Sequence, residues 1–97
     1  MTSSPVPGDP VRLLVVDDSP SIRAVIRAMV EGDAGIRIVG EAGTGREAVE
    51  MARTLRPGVI LMDVRMPEMD GIEATERIMA SEAVPIIAFS AFTLGGE

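Results

Sequence analysis

The sequence predicts an α/β domain built on a parallel sheet, and three observations carry that expectation. Short apolar runs alternate with longer segments of helical periodicity, giving the order β-α-β-α-β-α-β, which favours parallel strands joined by right-handed crossovers with helices on both faces. The run Val59-Ile-Leu-Met62 is continuously apolar and bounded by Pro57-Gly58 and Pro67, as expected of a central strand buried on both faces. Two of the runs end in acid, Asp17-Asp18 and Asp63, at the strand ends where open α/β sheets bind their ligands.

Met1 to Pro10 has neither a basic residue nor an apolar core, so it reads as a loose lead-in and not a signal peptide, with the domain running from residue 11 to 97. Val11 to Val16 forms the first strand. Ser19-Pro20 then starts a helix, because serine caps orphan amides and proline at the first helical position sacrifices no hydrogen bond. Ile22, Val25, Ile26, Met29 and Val30 recur at i, i+3, i+4, i+7 and i+8, which predicts a buried face, with Arg23 and Arg27 turned away and the helix closing near Gly32.

Ile36 to Val39 partly alternates apolar with charged, which suits a half-exposed edge strand, and Gly40 to Gly45 reads as the turn after it. Thr44 and Glu47 have capping-box spacing. Ala48, Met51, Ala52 and Leu55 define the inner face of the following helix, which Pro57-Gly58 stops. After the central strand, Asp70-Gly71 precedes a third helix to about Ser81, with Ile72, Ala74, Ile78 and Met79 inward. Pro85 to Phe89 is the fourth strand, ending in Ser90.

Composition sets the outer limits. A chain of 97 residues is one domain with room for about four strands and three helices. A net charge of −6 argues against a nucleic-acid surface, and no apolar run approaches the roughly 20 residues that cross a membrane. The absence of cysteine excludes a disulfide framework and fits a cytoplasmic location. All nine basic residues are arginine; lysine and histidine are absent.

If the first and third strands are neighbours, their ends lie about 4.8 Å apart and Asp17, Asp18 and Asp63 converge. Like charges at about 4 Å repel by roughly 4 kcal/mol at an effective dielectric of about 20, so the cluster calls for a cation or a bound proton. Hard oxygen donors without His or Cys point to Mg²⁺, and a metal-held carboxylate can attack phosphorus to form an acyl phosphate. Ser90, at the end of the next strand, could donate to a phosphoryl oxygen.

Three stretches, Leu-Val-Val-Asp-Asp-Ser, Leu-Met-Asp-Val-Arg-Met-Pro-Glu-Met-Asp-Gly and Ile-Ile-Ala-Phe-Ser-Ala, in this order and at suitable spacing, resemble the receiver domain of bacterial two-component response regulators. The resemblance covers Val11 to about Thr93 and implies a flavodoxin-like sheet of order 2-1-3-4, with the family's fifth strand and last helices lacking. It also implies that Asp63 accepts a phosphoryl group from a histidine kinase, that Asp18 and Asp63 ligate Mg²⁺ directly, and that Asp17 acts through water. The main-chain carbonyl of Arg65 would be a further ligand and Ser90 the switch hydroxyl. Asp-Asp-Ser-Pro-Ser-Ile-Arg and Glu-Arg-Ile-Met-Ala look most like the receiver of chemotaxis protein-glutamate methylesterases, although receivers of DNA-binding regulators share Val-Gly-Glu-Ala and Asp-Gly-Ile-Glu-Ala-Thr. The family's lysine at the end of a fifth strand has no counterpart here. No effector domain follows, so no enzymatic activity is expected of the chain, and the fourth strand would be an open edge through which copies could associate.

Two other readings stand beside this one. The first is a receiver-like interaction module that works without phosphorylation. The second is a nucleotide-binding half-domain, since Gly43-Thr44-Gly45-Arg46-Glu47-Ala48 fits G-x-G-x-x-A and has Asp63 about 20 residues further on.

Overall fold

The computed structural model describes residues 8–64, 71–81 and 84–89. Within them the order is β1 (Val11–Val16), α1 (Pro20–Glu31), β2 (Ile36–Ala42), α2 (Gly45–Leu55), β3 (Val59–Asp63), α3 (Gly71–Ser81) and β4 (Ile86–Phe89). The strands form one parallel sheet in the order β2-β1-β3-β4, as the resemblance implies. Because parallel strands alternate their side chains between faces, Leu14, Val16, Ala42, Ile60 and Met62 all point to one side. There they meet Ala48 and Ala52 of α2 and Ala74 and Ile78 of α3, with Val84 closing the cluster. The alanines let both helices approach the sheet closely. Each fully buried Leu, Ile or Met contributes about 1.5–3 kcal/mol, so Leu14, Ile60, Met62 and Ile78 anchor this layer.

The other face differs from the sequence expectation. Residues of α1 were expected to be buried, yet none is: Ile22, Ile26 and Val30 are half-buried, while Val25 is 54% and Met29 75% exposed. The cause is a lack of opposing surface. Among the described residues α1 is the one helix on this side, and it leaves an apolar groove of about 330 Å³ between itself and Leu13, Val59, Leu61 and Ile87. For the same reason β3 is not buried on both faces, because Ile60 and Met62 are buried whereas Val59 and Leu61 face the groove. Met79, expected inside, is 54% exposed on α3.

Strand β2 also runs further than its alternation suggests. The register with β1 shifts between Leu13 and Leu14, so Val39 is accommodated as a bulge and the strand continues through Gly40 to Ala42. Gly40 is therefore not a turn residue. Its role is close packing, since a Cβ there would lie 2.7 Å from Leu55 Cδ1 of α2.

The starts of α1 and α2 are capped as the sequence predicts. Ser19 Oγ accepts from the Ile22 amide at 3.2 Å, and Thr44 Oγ1 accepts from the Glu47 amide at 3.0 Å. The return bond of the capping box reaches one residue further back, because Glu47 Oε1 accepts from the Gly43 amide at 2.8 Å. At its other end α2 stops on Arg56 in the left-handed region, φ 49°. That conformation costs a non-glycine residue about 1 kcal/mol, and it is offset by Arg12, whose guanidinium donates to the Arg56 and Leu55 carbonyls at 2.6 and 2.8 Å. No described helix is long and apolar enough to cross a membrane.

Candidate metal centre

The sheet itself brings the acids together. Val16 pairs with Met62 across β1 and β3, so the next residues, Asp17 and Asp63, lie side by side at the C-terminal edge. The last rungs hold both in place: the Asp17 amide donates to the Ala42 carbonyl at 3.0 Å, and the Val64 amide to the Phe89 carbonyl, also at 3.0 Å. Asp18 follows in the turn before the Ser19 cap. Carboxylate oxygens of Asp17, Asp18 and Asp63 all lie within 4.8 Å of one another. Two of the three are buried, Asp17 at 1% and Asp63 at 4% exposure, while Asp18 is open to solvent.

The electrostatics of Asp17 show what the arrangement lacks. Its Oδ1 accepts from the Ser19 amide at 2.8 Å, but the buried Oδ2 has no hydrogen-bond partner. Burial pushes the carboxyl above the usual range; the Ser19 amide opposes this, and the charges of Asp63 and Asp18 push it higher still. A buried carboxylate oxygen without a donor, beside two further carboxylates, fits a cation. The all-oxygen donor set suits a hard cation, such as a small ion that keeps several waters and takes one or two carboxylates.

Sequence reasoning missed Arg23 and Glu41. Arg23 and Arg27 were read as the solvent face of α1, yet Arg23 Nη1 donates to the Asp17 main-chain carbonyl at 2.5 Å and Arg23 Nε lies 3.4 Å from Glu41 Oε1. Arg27 adds a two-pronged pair to the same carboxylate, both contacts at 2.8 Å. The available signal was the four-residue spacing of two arginines on one helix face, with a glutamate at the end of the neighbouring strand. Arg65 and Ser90 lie outside the described residues, as do Pro67 to Asp70.

The dinucleotide-type motif is accounted for by packing. It follows β2, an edge strand, and its Gly43 and Glu47 amides are already taken by Glu47 and Thr44 side chains, which leaves them unavailable to a phosphate.

Comparison with known proteins agrees with this geometry. The model of the response regulator receiver domain matches residues 13–94. The chain belongs to the receiver domain family. Among curated relatives, the protein-glutamate methylesterase/protein-glutamine glutaminase of Alkalilimnicola ehrlichii is 54% identical over 86 residues, covering 89% of this chain and 22% of the relative. A protein of the same description from Methanosarcina acetivorans is 50% identical over 87 residues, covering 90% and 25%. The chain thus spans about a quarter or less of the length of these relatives. Among solved structures, the response regulator domain of Thermotoga maritima CheB superposes with a TM-score of 0.83 at 41% identity, covering 90% of this receiver and 65% of that chain. A LuxR-family response regulator from Aurantimonas follows at 0.78 and 34%, with 88% and 65% covered. The receiver identity and the strand order agree, and the similarity to methylesterase receivers anticipated from α1 and α3 is found.

Proposed function

We propose that this receiver accepts a phosphoryl group from a histidine kinase onto Asp63, with Mg²⁺ held at the acidic cluster. The observation that carries the reading is the pairing of buried Asp17 and Asp63 at adjacent strand ends, with Asp17 Oδ2 lacking a donor. Asp18 and Asp63 would ligate the ion directly and Asp17 through water, with the Arg65 carbonyl as a further ligand. When bound, Mg²⁺ would neutralise charge on the phosphoryl oxygens. An Asp63 carboxylate oxygen attacks phosphorus, the P–N bond of the phosphohistidine breaks, and the imidazole leaves with the bonding pair. Ser90 would donate to the new phosphoryl group. The relatives' names suggest output through a methylesterase effector, and the proposed setting is a cytoplasmic chemotaxis-type pathway.

Incubation of the chain with a small labelled phosphodonor and Mg²⁺ tests this. We expect slow incorporation of an acyl phosphate, because the chain has no lysine to offset the phosphoryl charge and such stabilisation dominates phosphoryl-transfer catalysis. The label disappears in Asp63→Asn. Labelling that survives this substitution refutes the assignment. One alternative is an interaction module independent of phosphorylation. Mg²⁺ binding without any labelling, from donor or kinase, would select it.

A further inference from the structure

We infer that Arg23 is a positioning residue for the acidic cluster: by tying the Asp17 main-chain carbonyl to Glu41, it fixes the peptide that presents Asp18. The inference rests on the cation-binding reading above. β1 ends at Val16, and the Asp17 amide makes the last bond to β2. The next fixed point is the Ser19 amide, held by Asp17 Oδ1. Between these two lies the Asp17–Asp18 peptide, past the end of the ladder, and the group that grips its carbonyl is Arg23 Nη1 at 2.5 Å. Rotation of that peptide would swing the solvent-exposed Asp18 carboxylate away from its two buried partners.

Arg23 can serve as a fixed support because it is itself held. Its side chain is 20% exposed, and Glu41, 25% exposed, is clamped in turn by both nitrogens of the Arg27 fork. Space around it points the same way. A Cβ at Gly43 would lie 3.4 Å from Arg23 Nη1, an ordinary contact, so the guanidinium is bordered by the backbone that follows β2.

The sign of the effect separates positioning from charge. Arg23 places a positive charge beside a cation site, so by charge alone its removal would tighten Mg²⁺ binding. Release of the Asp17 carbonyl would weaken it. The test is Mg²⁺ titration of the whole 97-residue chain, without phosphodonor, for wild type, Arg23→Gln and Arg23→Lys, by calorimetry, with melting in EDTA reporting folding separately. We expect Arg23→Gln to bind Mg²⁺ about tenfold more weakly, the lower end of what residues supporting metal ligands contribute. Arg23→Lys keeps the charge but lacks the planar fork by which two separate nitrogens reach the Asp17 carbonyl and Glu41, so it should fall between the two. Binding by Arg23→Gln that equals or exceeds wild type overturns the inference. Should Arg23→Gln not fold, Arg23→Lys decides, since any change in its affinity cannot come from net charge: weakened binding supports the inference and unchanged binding overturns it. Failure of the wild type to bind Mg²⁺ would overturn the cation-site reading and this inference together, whereas wild-type binding with unaffected variants overturns the inference alone.

Discussion

Replacing Asp17 by asparagine isolates the energetic cost of gathering three carboxylates at one sheet edge. Carboxylate oxygens of Asp17 and Asp63 lie within 4.8 Å, which at an effective dielectric of 20 corresponds to a repulsion of about 3.5 kcal/mol. Asp18 is exposed and adds about 0.9 kcal/mol at a water-like dielectric. Asparagine keeps an acceptor for the Ser19 amide, but a neutral acceptor is weaker by about 1 kcal/mol. Burial and the acidic neighbours push the Asp17 carboxyl up, which favours its protonated form and reduces the repulsion that asparagine can relieve. The expected net effect at neutral pH, without metal, is a gain of about 2 kcal/mol, or roughly 8–16 °C for a domain of this size. The folded chain holds the Asp17 proton to higher pH than the unfolded chain does. Metal-free wild type therefore gains stability as pH falls through the folded value, and Asp17→Asn lacks that gain. In Mg²⁺ at ten times its dissociation constant, wild type recovers about 1.4 kcal/mol and the difference narrows. Urea unfolding followed by circular dichroism, in EDTA and in Mg²⁺, measures each quantity. An Asp17→Asn variant no more stable than wild type in EDTA, at unchanged m-value, would refute the claim that these carboxylates strain the metal-free fold.

Two further outcomes follow from the surface. Glu41 is held below the usual carboxylate range by the Arg27 hydrogen bonds, so its pairing stabilises the fold above pH 4.5, the unperturbed value, and is lost as pH falls through the lower folded value. Glu41→Gln should cost about 0.5–1 kcal/mol at pH 7, as expected for a partly exposed pair, and nothing in strong acid; a pH-independent difference would contradict this. The apolar groove, with Ile87 57% and Met29 75% exposed and β4 at the edge of the described sheet, predicts concentration-dependent self-association that Ile87→Lys weakens. Sedimentation velocity over a wide concentration range checks it, and a monomer throughout would exclude an association through this face.

The parts of this receiver that were legible in its sequence are those set by local chemistry. Asp17 and Asp63 are paired by the sequence pattern because each ends an apolar run, and parallel strands in register carry residues at equivalent points to the same edge. The caps at Ser19 and Thr44 were readable because a side chain three residues from an orphan amide has one obvious partner. The bulge at Val39 was not readable. Gly40 resembles a turn signal, and only its proximity to Leu55 of α2, a contact across elements, explains why a residue without a Cβ stands inside a strand.

Helix α1 shows the same limit from the other side. Of the residues its apolar spacing marks, Ile22, Ile26 and Val30 are half-buried and Val25 and Met29 are exposed, because periodicity describes one surface and says nothing about the surface that meets it. Val25 and Met29 have little opposite them, so the helix is held less by burial than its pattern implies. Its polar face, read as ordinary solvent contact, is where Arg23 and Arg27 bind α1 to the ends of β1 and β2. Those contacts place α1 by its first turns, beside Asp17 and Asp18, while its later apolar residues border the groove. A change at Arg23 should therefore be felt at the acidic cluster before it is felt in the core, whereas a change at Met29 should alter self-association and leave the cation site alone.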